Sequence, residues 1–294
     1  MSSIHIEKDG LAAEIDTTGA QLMRLKVGEA EYLWQGDPKF WPRRAPVLFP
    51  IVGCLPNDEL PSAQGPVHLK RHGIARTNEH EVAEKTDSQV TFKLVSNEFT
   101  RENYPFDFEL SMSYAVDGTS LKQSFRVTNT GTVNLPFTLG GHPAFNVPMP
   151  GSKGESFDDY ALVFAEKWSP EVPVIDEKGL HDFSHTTQLM ENDRVLPLSH
   201  ELIDRHATLV FHNVPKNRVA LVGKKSNHGV ELEFPGFDYL GLWTANTESP
   251  FIAVEPWHGC ASAYDEGPNF EDKRSTITLA PAESTTLAFT ITPF

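Results

Sequence analysis

The segment 140–146, Gly-Gly-His-Pro-Ala-Phe-Asn, places a histidine between chain-breaking residues. The two glycines allow a close backbone approach and unusual dihedral angles, and Pro143 interrupts strand pairing. Because His142 stands where a strand breaks, its side chain can point into a cleft. An imidazole in such a place can exchange protons near neutral pH. The alternative is a turn histidine that bonds only to the backbone.

A carboxylate with a similar setting is Glu255, which follows the apolar run 251–254 and precedes Pro256. We expect it at the end of a buried strand, where desolvation changes its pKa. A carboxylate that faces an imidazole can act as a general base opposite a general acid. An ion pair with an arginine is the alternative for Glu255. Nearby, Trp257 offers an apolar ring of the kind that stacks on the C–H face of a sugar.

Residues 43–76 carry five basic residues against two acidic ones, a local charge of +3 in a chain of net charge −15. The basic residues are Arg43, Arg44, Lys70, Arg71 and Arg76. Such a patch can concentrate an anionic or polyhydroxylated ligand, or its arginines can pair with surface acids. The same region contains His72, in the motif His-Gly-Ile-Ala-Arg.

Other chemistries have little support in the sequence. No serine stands in a Gly-x-Ser-x-Gly motif, and Gly-Lys-Lys-Ser at 223–226 lacks the upstream glycine of a phosphate-binding loop. No closely spaced histidine pair has the pattern of a metal motif. A metal-dependent sugar isomerase that uses His72, His142, Glu255 and His258 is a competing hypothesis. The residues predict proton transfer that needs neither a cofactor nor a metal.

The composition is that of an ordinary soluble protein, with 294 residues of which 39% are hydrophobic and 22% charged. The net charge of −15 disfavours nucleic acids and anionic membranes as partners. Only two cysteines occur, so no disulfide framework is expected. The sequence shows neither a signal-peptide pattern nor an apolar run that could span a membrane. We expect a cytoplasmic protein, monomeric or homodimeric, whose partner is a small molecule.

The elements that must position these side chains read as β-strands. In residues 106–116 every second residue is apolar, the pattern of a strand with one buried face. Asp-Gly at 117–118 predicts a tight turn into a return strand, and the run 135–139 then leads to His142. Helical periodicity is nearly absent, with one or two turns expected in residues 96–102.

Two regions read as irregular. Prolines at 42, 46 and 50 exclude a helix or a central paired strand, so residues 46–53 are expected to form an irregular wall. Residues 148–158 and 166–201 read as long loops, which places His181 and His185 on a loop surface. Together the patterns predict one all-β domain over residues 1–294, a large antiparallel β-sandwich.

Four stretches together resemble one known family. The segments 71–76, 140–146 and 255–259, with Pro-Val-Leu-Phe-Pro-Ile-Val-Gly at 46–53, look like the aldose 1-epimerase (galactose mutarotase) family, in particular its LacX-like branch. The resemblance covers essentially the whole chain. It implies a galactose mutarotase-like supersandwich with a sugar cleft on one concave face.

The resemblance also implies roles for individual residues. Glu255 is then the general base that takes the proton of the C1 hydroxyl, and His142 is the general acid that protonates the ring oxygen. The ring opens, the aldehyde turns, and reclosure gives the other anomer without a cofactor. At neutral pH this requires a charged His142 and an ionised Glu255. His72 is implied to bind the sugar, and Asp204 is the match for a substrate-binding aspartate.

Two departures from well-studied galactose mutarotases concern the substrate. At the positions that match 141–146, those enzymes have a sequence similar to Asn-His-Thr-Tyr-Phe-Asn. They also carry a substrate-binding arginine about where Cys54 stands, so Arg43, Arg44 or Arg76 would have to replace it. The motif at 72–76 also resembles the hexose-6-phosphate epimerase branch, whose arginines hold the phosphate. The leading hypothesis is an aldose 1-epimerase for a neutral hexose. A hexose-6-phosphate 1-epimerase and a non-catalytic carbohydrate-binding protein are the alternatives.

Overall fold

The computed structural model of the protein describes residues 2–294. In chain order the strands are β1 (Ser3–Lys8), β2 (Leu11–Asp16), β3 (Gln21–Val27), β4 (Ala30–Glu31), β5 (Val47–Leu48), β6 (Glu59–Leu60), β7 (Val67–His68), β8 (Glu81–Lys85), β9 (Gln89–Val95), β10 (Phe108–Asp117), β11 (Ser120–Asn129), β12 (Leu135–Phe137), β13 (Leu139–Gly141), β14 (Ala144–Asn146), β15 (Tyr160–Trp168), β16 (Glu171–Ile175), β17 (His181–Gln188), β18 (Asp193–Pro197), β19 (Leu209–His212), β20 (Arg218–Gly223), β21 (Gly229–Glu233), β22 (Tyr239–Trp243), β23 (Phe251–His258), β24 (Ile277–Leu279) and β25 (Ser284–Pro293). The α-helices within the described residues are α1 (Glu98–Asn103) and α2 (His200–His206). Neither of these helices is long and apolar enough to cross a membrane.

The larger of the main sheets has nine strands in the order β18-β15-β20-β21-β25-β11-β10-β9-β8. It contains the predicted hairpin of β10 and β11, which pairs in continuous register from Phe108 opposite Asn129 to Asp117 opposite Ser120. Buried and half-buried residues alternate along β10 as the sequence pattern requires. One face of this sheet therefore belongs to the core.

The second main sheet carries the order β19-β22-β23-β13-β5, with β14 also paired to β23. Its inner face meets the nine-stranded sheet in one apolar cluster that contains residues from Ile6 to Ile291. Phe49 and Phe108 illustrate this contact between the two layers, with ring centroids 5.0 Å apart. The all-β prediction and the antiparallel sandwich are confirmed.

Two smaller elements stand near the main sheets. β1 and β2 form a hairpin that turns at Asp9 and Gly10, and β3 pairs with β2. The short helix expected in 96–102 is α1, whose first turn is capped by the side chain of Asn97.

The prediction of a long loop over residues 166–201 is wrong. The segment contains β16, β17 and β18 and the start of α2, and β16 and β17 form a separate hairpin. Most side chains of β17 are exposed, so no buried face imposes an apolar alternation that the sequence could reveal. His181, at the first position of β17, is only 3% exposed, which corrects its assignment to a loop surface.

Proline had less effect on pairing than the sequence suggested. Segment 46–53 is irregular except for β5, a short strand at the edge of its sheet, where proline is best tolerated. Strand β23 does not end before Pro256 but continues to His258, because one missing N–H leaves the pairing on either side intact. Glu255 therefore lies inside a strand rather than at its end.

Candidate active site

Two adjacent strands bring the proposed acid and base together. Gly140 pairs with Trp257 across β13 and β23, and a Cβ atom on Gly140 would lie 2.7 Å from the Cδ1 atom of that indole. On Gly141 a Cβ atom would lie 2.6 Å from the Phe289 ring of the opposite sheet. Because the two glycines have no side chains, β13 packs closely against Trp257 on one side and against Phe289 on the other. His142 follows this glycine pair directly in the chain.

The side chains of His142 and Glu255 meet in the interior. Nε2 of His142 lies 3.3 Å from Oε2 of Glu255, and the two side chains are 8% and 1% exposed. The indole N–H of Trp257 donates to the same carboxylate oxygen at 3.2 Å. Among residues 2–294 no arginine pairs with Glu255, so the expected alternative of an ion pair with arginine is wrong. The carboxylate is held between an imidazole and an indole.

Aromatic rings hold the imidazole of His142 from three sides. Trp41 stacks on its face with centroids 4.9 Å apart, and the ring of Trp243 meets it edge-on at 5.5 Å. The ring of His72 stands perpendicular to it at 5.6 Å. This packing restricts His142 to one orientation, which a positioned acid requires.

His72 is presented by a strained turn. Its φ is +68° and that of Gly73 is +71°. The N–H of His72 donates to Gly53 O at 2.7 Å, and the N–H of Gly53 donates to Nδ1 of His72 at 3.2 Å. A neutral imidazole that accepts at Nδ1 carries its proton on Nε2. His72 can therefore act as a hydrogen-bond donor to a ligand.

A cavity of about 220 Å³ opens beside these groups. At about 30 Å³ per water molecule, this volume suits a small molecule. His72, His142, Glu255 and Trp257 line it, together with Arg43 and Arg76. Six residues singled out from the sequence are thus brought to one place by four separate segments of the chain.

Two of the expected site residues lie elsewhere. Arg44 is directed toward β3, where Nη1 lies 3.7 Å from Sδ of Met23 and its backbone N–H donates to Gln21. Asp204 lies exposed on α2 and lines a neighbouring pocket that shares only Trp243 with the cavity. Successive residues of an irregular segment can face opposite ways, so the sequence could not separate Arg43 from Arg44.

Three further residues of the cavity were missed as site residues: Trp41, His181 and Trp243. Arg71, which the sequence placed in the basic patch without a role of its own, also lines the cavity. Trp41 adjoins the Pro-Arg-Arg segment that did attract attention, and this neighbourhood is the only signal that could have found it. His181 reaches the cavity through the β16–β17 hairpin, which the sequence did not reveal. Trp243 ends β22 beside β23, and that position depends on long-range pairing.

The structure also bears on the competing metal hypothesis. His258 points away from the cavity, with Nδ1 3.0 Å from Gly236 O and 3.7 Å from Asp238 Oδ1. Among residues 2–294, no three His, Cys, Asp or Glu side chains form a cluster that could hold a metal ion. His258 is therefore not brought to the other three residues of that hypothesis.

Burial determines the charge of the acid–base pair. It raises the pKa of Glu255 well above its usual value. Burial, with smaller contributions from Arg76 and Arg43, lowers the pKa of His142 to about 3. Both shifts favour the neutral forms, which corrects the expectation of a charged imidazole beside an ionised carboxylate. The neutral and the charged arrangements contain the same total number of protons, so one proton transfer across the 3.3 Å contact would interconvert them.

Comparison with known proteins gives a consistent result. The sequence profile of the family described as aldose 1-epimerase matches residues 2–292. The LacX protein (plasmid form) of Lactococcus lactis subsp. lactis is 35% identical over 300 residues, covering 99% of each chain. A galactose mutarotase related enzyme from Lactobacillus acidophilus has a TM-score of 0.93 at 30% identity, covering 100% of this chain and 97% of the other. A galactose mutarotase-like protein from Lactobacillus casei has a TM-score of 0.90 at 30% identity, with both chains covered completely.

Proposed function

The chain belongs to the aldose 1-epimerase family, and from this premise we propose that it interconverts the α and β anomers of a hexose. In this proposal His142 is the general acid and Glu255 the general base. The observation that carries the proposal is the 3.3 Å contact between Nε2 of His142 and Oε2 of Glu255 in a lined cavity. The two reacting oxygens of an aldose, the C1 hydroxyl and the ring oxygen, are bonded to the same carbon. An acid and a base for these two atoms must therefore stand within a few ångströms of each other.

The reaction needs only proton transfers. With the shared proton on His142, Glu255 is free to take the proton of the C1 hydroxyl while His142 gives its own to the ring oxygen. The C1–O5 bond breaks, the aldehyde rotates about C1–C2, and the reverse transfers close the ring on the other face. Each group returns to its starting state. The site is therefore ready for the next turnover without any external acid or base.

The surrounding residues have roles in binding and positioning. The Nε2 proton of His72 and the guanidinium groups of Arg43 and Arg76 can donate hydrogen bonds to sugar hydroxyls. The N–H of Trp257 orients the carboxylate of Glu255, and the rings of Trp41 and Trp243 give an apolar wall for the C–H face of the sugar. In this proposal these donors and rings hold the hexose while its ring opens.

Polarimetry tests the activity directly. We expect the protein to accelerate the change in optical rotation of freshly dissolved α-anomers, in proportion to protein concentration, with galactose and glucose as the first sugars. Heat-inactivated protein is the control. A sugar that binds in calorimetry while its mutarotation stays at the spontaneous rate would show a carbohydrate-binding protein without catalysis.

The pH dependence of kcat/KM should reflect the one-proton pair. Burial raises the pKa of Glu255, so its proton is lost only as the pH rises through that raised pKa, and activity falls on the alkaline side of it. A histidine pKa lowered to about 3 means that the second proton binds only as the pH falls through that value. We therefore expect no acid limb near 6.5, the ordinary imidazole range. A limb there, with circular dichroism showing intact protein, contradicts the assignment of His142.

A further inference from the structure

The arginines of the cavity have no counter-ion in the protein. Arg43, Arg71 and Arg76 line it, and within residues 2–294 none of them has a carboxylate oxygen within 4 Å. The two acids of residues 43–76 pair elsewhere, Asp58 with Lys70 at 2.6 Å and Glu59 with His68 at 3.3 Å. Pairing with a surface acid, the alternative expected for this basic patch, is therefore observed for Lys70. It is not observed for Arg43, Arg71 and Arg76. Among the described residues, three positive charges thus line one cavity without a carboxylate partner.

Polar atoms around the cavity are also left without partners. Nε of Arg76 and Nδ1 of His181 are buried and make no hydrogen bond. His181 is 3% exposed and lies on the wall formed by the β16–β17 hairpin. Buried donors and acceptors are normally satisfied, and a buried donor left unpaired costs about 1–3 kcal/mol. Such atoms indicate a place where a bound molecule completes the contacts.

The position of Arg71 gives this end of the cavity its shape. A Cβ atom on Gly179 would lie 2.7 Å from Nη2 of Arg71 and 3.2 Å from Sγ of Cys54. The absent side chain of Gly179 thus leaves room for the guanidinium to lie against the hairpin, beside the thiol. Cys54 supplies no charge at this end of the cavity, so the positive charge there comes from Arg71. The hairpin and the turn before His72 together position it.

Glu255 is the only acidic residue that lines the cavity, and it is engaged by His142 and Trp257. Hydroxyl groups of a neutral sugar can accept hydrogen bonds from guanidinium groups, but they do not neutralise three of them. Phosphate and carboxylate groups do both, because the planar guanidinium matches two of their oxygens at once. The chain's net charge of −15 opposes this only weakly, since charges beyond about 8 Å are screened at physiological salt.

We infer that Arg43, Arg71 and Arg76 form an anion subsite, so that the substrate is an aldose that carries an acidic substituent, a phosphate ester or a carboxylate. Arg71 is the residue of this subsite that discriminates between charged and neutral sugars, and His181 closes the subsite on the hairpin side. The inference rests on the proposed function for the identity of the ligand as an aldose. It assigns that ligand a charge that the acid–base pair alone does not require.

Equilibrium binding tests this inference separately from catalysis. Calorimetry of the whole protein with glucose, glucose 6-phosphate, glucuronate and inorganic phosphate compares sugars that differ in charge. We expect at least one acidic sugar to bind tenfold or more tightly than glucose, with an affinity that falls as salt is added. Whichever of the two binds more tightly identifies the acidic group. Equal affinity for glucose and both acidic sugars overturns the inference, and so does phosphate alone binding as tightly as the best sugar.

Matched variants locate the effect. Arg71→Gln should remove most of the preference for the acidic sugar, while Lys70→Gln, the same change of charge one residue earlier on a side chain paired with Asp58, should leave it unchanged. Equal losses in both variants would show a general field rather than a subsite. Tight binding of an acidic sugar without accelerated anomerisation would reject the proposed activity and keep the subsite. Accelerated anomerisation with equal affinity for all sugars would reject the subsite and keep the proposed activity.

Discussion

Replacing Glu255 with glutamine should lower the rate of anomerisation by roughly 10²- to 10⁴-fold, the usual loss when one positioned acid or base is removed. Glutamine has the same shape but cannot accept the C1 proton. Because burial already favours the uncharged form of Glu255, a neutral amide in its place should cost little stability. Replacement of His142 by asparagine should have an effect of similar size, since the acid at the ring oxygen is then lost.

The measurement is polarimetry at saturating sugar, with the midpoint of urea unfolding as the check on folding. Glu248→Gln provides the matched control, because that glutamate is 77% exposed and outside the cavity. Rates near the wild-type value in either the Glu255 or the His142 variant, in well-folded protein, would reject the mechanism. A loss of activity in the Glu248 variant would point to an effect of net charge.

Gly73→Ala should cause the second large effect, on stability. A Cβ atom there would lie 2.4 Å from the carbonyl oxygen of Phe49 in a residue with φ of +71°. That oxygen accepts the N–H groups of Ile74 and Ala75, so the turn cannot shift without breaking these bonds. The positive φ costs about 1–2 kcal/mol and the overlap about 1–3 kcal/mol more. We expect a loss of about 2–5 kcal/mol in the free energy of unfolding.

Gly118→Ala separates these contributions. Gly118 also has a positive φ, +58°, but nothing lies within 4 Å of its Cβ position. Its variant should lose only the cost of the dihedral angle, in urea unfolding experiments on both proteins. Gly73→Ala should in addition lower kcat/KM, because the displaced turn carries His72. Equal losses of stability in the two variants would mean that the contact with Phe49 is relieved without cost.

The sequence indicated the long strands because their surroundings are simple. One buried face imposes a period of two on β10 and β11, and local residues such as Asp117 and Gly118 mark the turn. The sequence did not indicate the β16–β17 hairpin, because most side chains of β17 face solvent and show no apolar alternation. Strand β23 is buried on both faces, so its length could not be read from alternation.

Some residues of the candidate site are marked by the local sequence, and others are not. His142 and Glu255 stand out locally, next to a glycine pair and after an apolar run. Trp41, Trp243 and His181 belong to the cavity only through contacts between distant segments, and no local pattern encodes such contacts. Arg43 and Arg44 are neighbours in sequence, yet only Arg43 lines the cavity. An irregular backbone has no period from which the direction of a side chain can be inferred.

The strands and the connecting segments contribute different parts of the cavity. Glu255 stands within a paired strand and His142 between β13 and β14. Arg43, Arg71 and Arg76 stand on connections, and His181 stands on the β16–β17 hairpin, which belongs to neither main sheet. Connections tolerate substitution and insertion far better than paired strands. A lineage built on this scaffold could therefore change the sugar it accepts by altering those segments, while the proton-transfer apparatus is inherited unchanged. Exchange of the 171–188 hairpin between relatives would then transfer ligand preference without transferring reactivity.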